Sequence, residues 1–307
     1  ALPEEWRETR VPFGEDGFIR VGIAERETAQ GTVLFVPGYT SSIELASELL
    51  AKWHEAGWEV AAMDLPGQGR SMRRGDDPQK PITGDYAFYA DAVGAGLRRV
   101  ASERRSAGPL ILAGESFGGA SVLRALHEGD VPEADGIFVM VPALAPSTGA
   151  LPTWLAKPLL NREVKSSGGD GYLDGQGAWQ PGTRQIEDYA FCGDREDRVF
   201  KNDALFMLNP DLRVGGATTA WIDGMLRSGE LVATSDALRT ETRPVVIALA
   251  ENDTVVKNAP ARTLCSKTLP NCTLTVIEDS SHCFYLEDDE VMDAVTAALA
   301  QLARRES

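Results

Sequence analysis

Histidine, the side chain most often used as a catalytic base or metal ligand, is scarce: the 307-residue chain has three. They are His54, His127 and His282, and none lies in a His-Glu-x-x-His motif or another paired metal-ligand spacing. We therefore expect neither a metal nor a cofactor. Long apolar runs are also absent, since none approaches the roughly 18 residues that cross a membrane. We expect no transmembrane segment.

Basic residues are outnumbered, with 30 Lys and Arg against 46 Asp and Glu, so the formal net charge is −16. A nucleic-acid partner requires concentrated positive charge, and we expect none. Adhesion to anionic lipid is disfavoured for the same reason. Phosphate-loop and dinucleotide motifs are missing too, because Gly67-Gln68-Gly69 lacks a third glycine and a helix start. Nothing in the sequence indicates the oligomeric state.

Cysteine is also rare, and its four positions form neither a Cys-x-x-Cys motif nor a dense disulfide scaffold. Cys265 and Cys272 are close enough in sequence to pair, although separate reduced thiols fit the pattern at least as well. The first residues carry no basic-then-apolar signal peptide, and we expect a cytoplasmic location. The chain starts at Ala1 rather than Met, which leaves a removed leader open.

Apolar runs that alternate with helical patterns predict an α/β fold: a mostly parallel sheet with helices on both faces. The segment 18–24 alternates as an edge strand with one solvated face would. The remaining strands are expected at 32–36, 59–63, 110–113, 134–141, 244–250 and 272–277. Helices are expected near 45–53, 86–105, 117–127 and 291–302.

The alternation stops between about residues 143 and 240, a region rich in Pro, Gly and Trp. A structureless loop of about 100 residues is improbable inside a compact domain. We therefore predict an inserted, mainly helical cap at 143–240, which divides the core into 1–142 and 241–307. Four apolar side chains in it fall at helical spacing, and they are Leu151, Trp154, Leu155 and Leu159.

The most informative motif is Gly114-Glu115-Ser116-Phe117-Gly118, which follows the apolar run at 110–113. Gly-x-Ser-x-Gly between a buried strand and a helix predicts a sharp, strained turn that exposes the serine hydroxyl. The glycines remove side chains that would collide there, and the following helix directs its N–H groups toward the serine. An ordinary glycine-rich turn is the alternative interpretation, and it becomes less favoured once candidate partners for Ser116 are found.

Two further residues follow later strands, at the edge where the carboxyl ends of parallel strands converge. Asp253 comes after the strand at 244–250, and His282 after the strand at 272–277, whereas His54 and His127 lie within predicted helices. The chain order Ser, Asp, His is the one expected for this architecture. Three other acidic residues share this edge, so Asp253 is a preference over Glu251, Glu278 and Asp279.

These residue types indicate nucleophilic acyl transfer. His282 would take the Ser116 proton and return it to the leaving group, while Asp253 would orient the imidazole. The oxyanion needs preorganised donors, for which the backbone N–H of Phe117 is the first candidate and that of Tyr39 the second. The predicted reaction is acyl transfer to water through an acyl-enzyme.

Several motifs together resemble the α/β-hydrolase superfamily, and within it the monoacylglycerol lipases, lysophospholipase L2-like enzymes and the serine aminopeptidase (S33) type. They are the 114–119 motif, the Asp64–Ser71 loop, the turns at Asp253 and His282, and the cap segment 209–222. The resemblance extends from about residue 18 to 302. Two departures are Glu115, where many relatives have histidine, and Pro37-Gly38-Tyr39, where many have His-Gly. Because backbone N–H groups make the oxyanion contact, these two departures do not change the predicted reaction. They do leave the identity of the substrate less defined.

The resemblance implies a carboxylic ester hydrolase acting on a monoacyl lipid, a lysophospholipid or another small ester. Trp154, Trp179 and Trp221 are then candidate substrate-binding residues in the cap. The apolar stripe at 151–159 would line an acyl pocket or touch lipid, although packing against the core is the favoured interpretation. One alternative is an aminopeptidase with an acidic anchor at Glu187, Asp188, Asp194 or Asp223. The other is a non-catalytic ligand-binding homologue, against which the complete candidate triad argues.

Overall fold

A computed structural model describes residues 1–147, 153–182, 191–193 and 195–303. In these residues one sheet has the order β1-β2-β4-β3-β5-β6-β7-β8. β1 and β2 pair antiparallel, as do β2 and β4, and the neighbours from β4 to β8 are parallel. The strands are β1 (Trp6–Phe13), β2 (Gly17–Ala24), β3 (Thr32–Val36), β4 (Glu59–Met63), β5 (Leu110–Glu115), β6 (Gly136–Met140), β7 (Val245–Ala250) and β8 (Cys272–Ile277).

Helices cover the sheet on both sides, as predicted, with α1 packed against α10 and α2 against α3. Their apolar faces join the strands in a single core that includes the buried Trp53, Phe35 and Phe138. The helices are α1 (Ser47–Glu55), α2 (Ala87–Glu103), α3 (Phe117–Glu128), α4 (Thr153–Ser167), α5 (Glu196–Val199), α6 (Lys201–Leu208), α7 (Thr219–Ala233), α8 (Asp236–Arg239), α9 (Asn258–Lys267) and α10 (Asp289–Ala300).

The first two strands correct the sequence prediction. β1 was not expected, because Arg7 to Arg10 and Pro12 obscure its alternation, although an edge strand tolerates both features. β2 was expected at the edge, but it pairs with β1 on one side and β4 on the other. β1 therefore occupies the edge and buries β2.

Helices α4 to α8, here called the cap helices, lie between β6 and β7 in the chain and dock on the core through polar contacts. Tyr86 donates its hydroxyl to the Trp221 carbonyl at 2.7 Å. Lys201 pairs with Glu48 of α1 at 3.0 Å. The Arg70 guanidinium reaches Asp211 at 2.8 Å, just before α7. These contacts hold the cap helices over the carboxyl ends of the parallel strands.

The predicted apolar stripe of α4 does not pack on the core where it is described. Leu155 and Leu159 are 40% and 59% exposed. The favoured packing interpretation is therefore wrong for these two side chains. Leu151 and the Trp154 side chain lie outside the described residues.

Asp64 organises the loop after β4 from a fully buried position. Its carboxylate contacts the Arg20 guanidinium at 3.1 Å and accepts the backbone N–H groups of Ile43 and Arg70. Burial raises the pKa of Asp64, while Arg20 opposes that shift. Gly69 has φ +48°, and a Cβ there would lie 2.0 Å from the Asp64 carboxyl carbon. The loop therefore wraps a carboxylate at its centre, consistent with a structural role for Asp64.

Two disulfides are present in the structure. Cys265 and Cys272 join α9 to β8, a pairing that the sequence left open beside reduced thiols. Cys192 and Cys283 join the chain before α5 to the segment after β8, with their Cα atoms 4.6 Å apart. The sequence did not suggest this second bond, because 91 positions separate its cysteines.

Candidate active site

Ser116 stands at the turn between β5 and α3, with φ 52° and ψ −116°. This conformation is strained for a residue with a side chain. Three backbone bonds hold it, each 2.9 Å long: Ser116 N–H donates to the Met140 carbonyl, and the N–H groups of Ala120 and Ala143 donate to the Ser116 carbonyl. A Cβ on Gly118 would lie 2.1 Å from the Val36 carbonyl oxygen, so glycine lets the helix start approach β3. The motif forms the predicted strand, turn and helix.

The structure brings Ser116, His282 and Asp253 into one hydrogen-bonded chain. Ser116 Oγ lies 2.8 Å from His282 Nε2, and His282 Nδ1 lies 2.8 Å from Asp253 Oδ2. Asp253 Oδ1 accepts the backbone N–H groups of Val255 and Val256. The His282 and Asp253 side chains are 7% and 0% exposed. A buried imidazole between a hydroxyl and a carboxylate can move a proton while keeping its orientation.

The competing residues at this edge take other positions. Glu251 accepts the backbone N–H of Asp279 at 3.1 Å, and both side chains lie at the protein surface. His127 Nδ1 contacts Ser235 Oγ at 2.7 Å, on the opposite end of α3 from Ser116. Only Asp253, among the acidic candidates, contacts the His282 ring in the described part of the chain.

The loop after β3 lies directly against the serine. A Cβ on Gly38 would be 3.2 Å from Ser116 Cβ. The Gln68 carboxamide brackets Tyr39 in this loop. It donates to the Gly38 carbonyl at 3.1 Å and accepts the Thr40 N–H at 2.7 Å. Tyr39, between them, donates its hydroxyl to the carbonyls of Gly215 and Gly216. The backbone of Tyr39 is thus held beside Ser116, and Gln68 is a contributor that sequence reasoning missed.

The segment that carries His282 is tied at four consecutive residues. Ser281 N–H donates to Glu287 Oε1, and His282 N–H donates to the Phe191 carbonyl at 2.9 Å. Cys283 forms the disulfide with Cys192. Phe284 N–H donates to Glu115 Oε1 at 3.0 Å. His282 is therefore positioned by the residues just before α5 and by a buried carboxyl, and no local motif signals these contacts.

A cavity of about 990 Å³ opens at Ser116. One wall is apolar and comes from α7 and two core loops, and its residues include Ala143, Pro146, Ile222, Met225, Val255 and Val256. The amide side chains of Gln176, Gln180 and Asn202 also line the cavity. The cavity can therefore accept a molecule that has both an apolar and a polar part.

Two of the three predicted cap tryptophans line this cavity. Trp221 is buried and stacks near Tyr39 and Phe117, with ring centroids 4.2 and 5.0 Å away. Trp179 is also buried and donates its indole N–H to Asp203 at 2.8 Å. The Trp154 side chain lies outside the described residues.

Within the described ranges, no cluster of three or more His, Cys, Asp or Glu side chains is arranged to hold a metal ion. No helix in those ranges combines the length and the apolar character needed to span a membrane.

A mostly parallel sheet with a serine on a strained strand-to-helix turn, and with aspartate and histidine after its last strands, defines the class of this protein as an α/β-hydrolase. Within that class, the chain belongs to the family described as serine aminopeptidase, S33, whose model matches residues 27–289. The fold and the family resemblance predicted from the sequence are confirmed.

Similar proteins agree with this assignment. Lysophospholipase L2 of Escherichia coli is 25% identical over 283 residues, covering 89% of this chain and 80% of the relative. Probable lysophospholipase L2 of Haemophilus influenzae is 24% identical over 264 residues, covering 84% and 79%. A soluble variant of the Saccharomyces cerevisiae monoglyceride lipase, solved with a substrate analog, superposes with a TM-score of 0.73 at 17% identity, covering 99% and 95%. That last likeness concerns the fold.

Proposed function

We propose that this protein is a serine hydrolase that cleaves a carboxylic ester, either a monoacyl lipid such as a lysophospholipid or another small ester, through an acyl-enzyme. The observation that carries the proposal is the Ser116–His282–Asp253 hydrogen-bond chain at the mouth of a cavity with one apolar wall. The names of the relatives, lysophospholipase and monoglyceride lipase, support the substrate class.

The reaction would proceed in two acyl transfers. As Ser116 Oγ attacks the ester carbonyl, its proton passes to His282 Nε2, which then protonates the departing alcohol oxygen. The acyl group stays on Oγ. Water then attacks the acyl-enzyme, giving its proton to His282, and the proton returns to Ser116 as the carboxylic acid leaves. Asp253 keeps Nδ1 protonated and stabilises the imidazolium in both transfers.

The oxyanion formed in each transfer would accept the backbone N–H groups of Phe117 and Tyr39. Phe117 is the first residue of α3, so its N–H lies at the positive end of the helix dipole. Tyr39 is held beside Ser116 by the Gln68 bracket. Because these donors are in place before the reaction, they need no reorganisation as charge develops, and each is worth about 3 to 4 kcal/mol.

The lining of the cavity supports an assignment of the two parts of the substrate. The apolar wall includes Ala143, whose N–H contacts the Ser116 carbonyl, and Met225 of α7. An acyl chain would lie along that wall. The alcohol portion would face the amides of Gln176 and Asn202, whose polarity suits glycerol or phosphoglycerol hydroxyls. Trp179 and Trp221 would frame the cavity between the two ends.

The peptidase alternative has less support. It needs an acidic anchor in the cap for the substrate amine, and Asp223 is buried in an ion pair with Arg227 at 3.0 Å without lining the cavity. The other anchor candidates, Glu187, Asp188 and Asp194, lie outside the described residues. A binding-only homologue would have no need for the complete hydrogen-bond chain at Ser116.

An assay with two parts tests the proposal. We expect covalent labelling of the protein by a fluorophosphonate, and turnover of p-nitrophenyl esters, monoglycerides or lysophospholipids in excess of aminoacyl-naphthylamides. Preferred hydrolysis of the naphthylamides would establish the peptidase instead. A folded protein that neither reacts with the fluorophosphonate nor turns over any ester would refute the serine hydrolase.

A larger side chain in the apolar wall should shift the preference toward esters with shorter acyl chains. Met225 is buried on α7 and lines the cavity, so Met225→Trp fills space next to Ala143. We expect kcat/KM for dodecanoyl p-nitrophenyl ester to fall about tenfold relative to the butyryl ester. Leu231→Trp, on the same helix but exposed and away from the cavity, is the matched control and should leave the ratio unchanged. An equal loss for both chain lengths would place the acyl group elsewhere.

Two further predictions stay proposals. Residues 143–240 are the limits that we propose for the cap.

The cytoplasmic location expected from the sequence is untested, and the two disulfides weigh against it, because such bonds persist mainly in oxidising compartments.

A further inference from the structure

Glu115, the last residue of β5, is a buried acid beside the proposed nucleophile. Its side chain is 1% exposed. Oε1 accepts the backbone N–H of Phe284 at 3.0 Å, across 169 positions of sequence. Phe284 begins a short 3₁₀ helix two residues after His282 and is fully buried. Glu115 therefore connects the strand that ends at the serine with the segment that carries the histidine.

The charged and titratable groups that act on Glu115 are acidic. Among the described ion pairs, none joins Glu115 to an Arg or Lys. The groups that interact with it are Asp253 after β7 and Tyr285 in the 3₁₀ helix, and Ser116 and His282 line the same cavity. Burial and the nearby Asp253 charge raise the pKa of Glu115 well above its usual 4.5, which favours the protonated carboxyl.

We propose that Glu115 is a positioning residue, which anchors the His282 segment to the end of β5 by accepting the Phe284 N–H. This inference rests on the proposed function.

The geometry explains why an anchor here would matter. Adjacent residues 115 and 116 contact residues 284 and 282, which are themselves two apart. The segment is thus held to β5 at two points, so a displacement of its backbone along β5 would disturb both contacts. Displacements of about 1 Å in a catalytic pair can cost about 100-fold in rate. Anchoring by a group on the same strand as the nucleophile limits such displacement.

Neutrality matters as well as the hydrogen bond. A carboxylate at Glu115 would oppose the negative charge that develops on the oxyanion beside Ser116. A protonated carboxyl keeps the acceptor for Phe284 and adds no charge. Glutamine has the same two properties at every pH, which provides a direct test.

Two variants separate the effect of the Phe284 hydrogen bond from the effect of a charge on Glu115. Glu115→Gln keeps an acceptor for Phe284 N–H, and we expect kcat and the fluorophosphonate labelling rate within about threefold of the wild type at pH 7. Glu115→Leu leaves that N–H without a partner, and we expect kcat and the labelling rate to fall about 10- to 100-fold with KM within about threefold. As pH rises through the raised pKa of Glu115, wild-type kcat should fall while that of Glu115→Gln is retained.

The stability profile gives a readout that needs no turnover. A raised pKa means that the folded state holds the Glu115 proton more tightly than the unfolded state does. The stability that this provides is complete below pH 4.5 and is lost as pH rises through the folded-state value. The difference in Tm between Glu115→Gln and wild type should therefore shift in favour of the variant as pH increases.

The matched control is Glu59, another fully buried glutamate, which accepts the Arg105 N–H at 2.9 Å at the start of β4, far from Ser116. Glu59→Gln should change Tm without changing kcat. Three results would each overturn the inference: a folded Glu115→Leu with unchanged kcat and labelling rate, a Glu115→Gln as impaired as Glu115→Leu, or a Tm difference that does not vary with pH. Failure of the proposed function is distinguishable, because the wild type itself would then resist the fluorophosphonate.

Discussion

Replacing Ser116 with alanine is expected to lower kcat by about 10⁴-fold or more and to abolish fluorophosphonate labelling. The reason is geometric. Ser116 carries the hydroxyl that lies 2.8 Å from His282 Nε2 on the strained turn, so the variant retains the base and the cavity but has no oxygen to acylate. His282→Ala should cause a comparable loss, and combining the two changes should add little, because the residues act as a unit.

Controls for this prediction come from residues of the same type. Ser102→Ala, on α2 with its hydroxyl bonded to the Arg99 carbonyl, and His127→Ala, beside Ser235, should both retain full activity. Circular dichroism and thermal unfolding would verify that each variant is folded. If folded Ser116→Ala kept more than about a tenth of wild-type kcat, the nucleophile would have to be assigned elsewhere.

Removing the disulfide between Cys192 and Cys283 is expected to affect both stability and catalysis. Closing a loop of 91 positions lowers the entropy of the unfolded chain, and its loss costs about 4 to 5 kcal/mol of unfolding free energy in the chain-entropy model. Cys283 also adjoins His282, whose own N–H is bonded to the Phe191 carbonyl. The Cys192→Ser, Cys283→Ser double variant should therefore lose about tenfold in kcat as well. Denaturant titration and single-turnover kinetics measure the two effects.

The other disulfide provides a matched control. Cys265 and Cys272 are 7 positions apart at α9 and β8, so the same model expects a loss of about 2 to 3 kcal/mol. Their double serine variant should leave kcat unchanged. Dithiothreitol should lower the activity of this control as it does that of the wild type, but should have no further effect on the Cys192→Ser, Cys283→Ser protein. Equal kinetic effects of the two pairs would contradict a specific link to His282.

Much of the fold was predictable because its signals are local. β3, β4 and β8 were expected at the residues where they occur, since each is a compact apolar or β-branched run bounded by turn residues. The turn at Ser116 was predictable for the same reason, because Gly114 and Gly118 mark it within five residues. β1 was missed, since an edge strand carries charge and proline without penalty.

The choice among the acidic residues required the fold. Asp253, Glu251 and Asp279 lie within the same two turns, and their residue types do not distinguish them. In the structure, the Val255 and Val256 N–H groups orient Asp253 toward His282, whereas Glu251 faces the Asp279 backbone at the surface. Chain order limited the candidates, and the direction of the side chain selected one.

By itself the sequence determined the parallel strands, the serine turn, the single well-placed histidine and the chain order Ser, Asp, His, because strand periodicity and turn chemistry act over a few neighbouring residues. Only the tertiary structure decided how these three residues are supported. Gln68 brackets the loop after β3 from 28 and 30 positions away, Cys192 reaches Cys283 across 91, and Glu115 reaches Phe284 across 169. Such contacts leave no local pattern, since they exist only once the strands have brought distant segments to the same edge of the sheet.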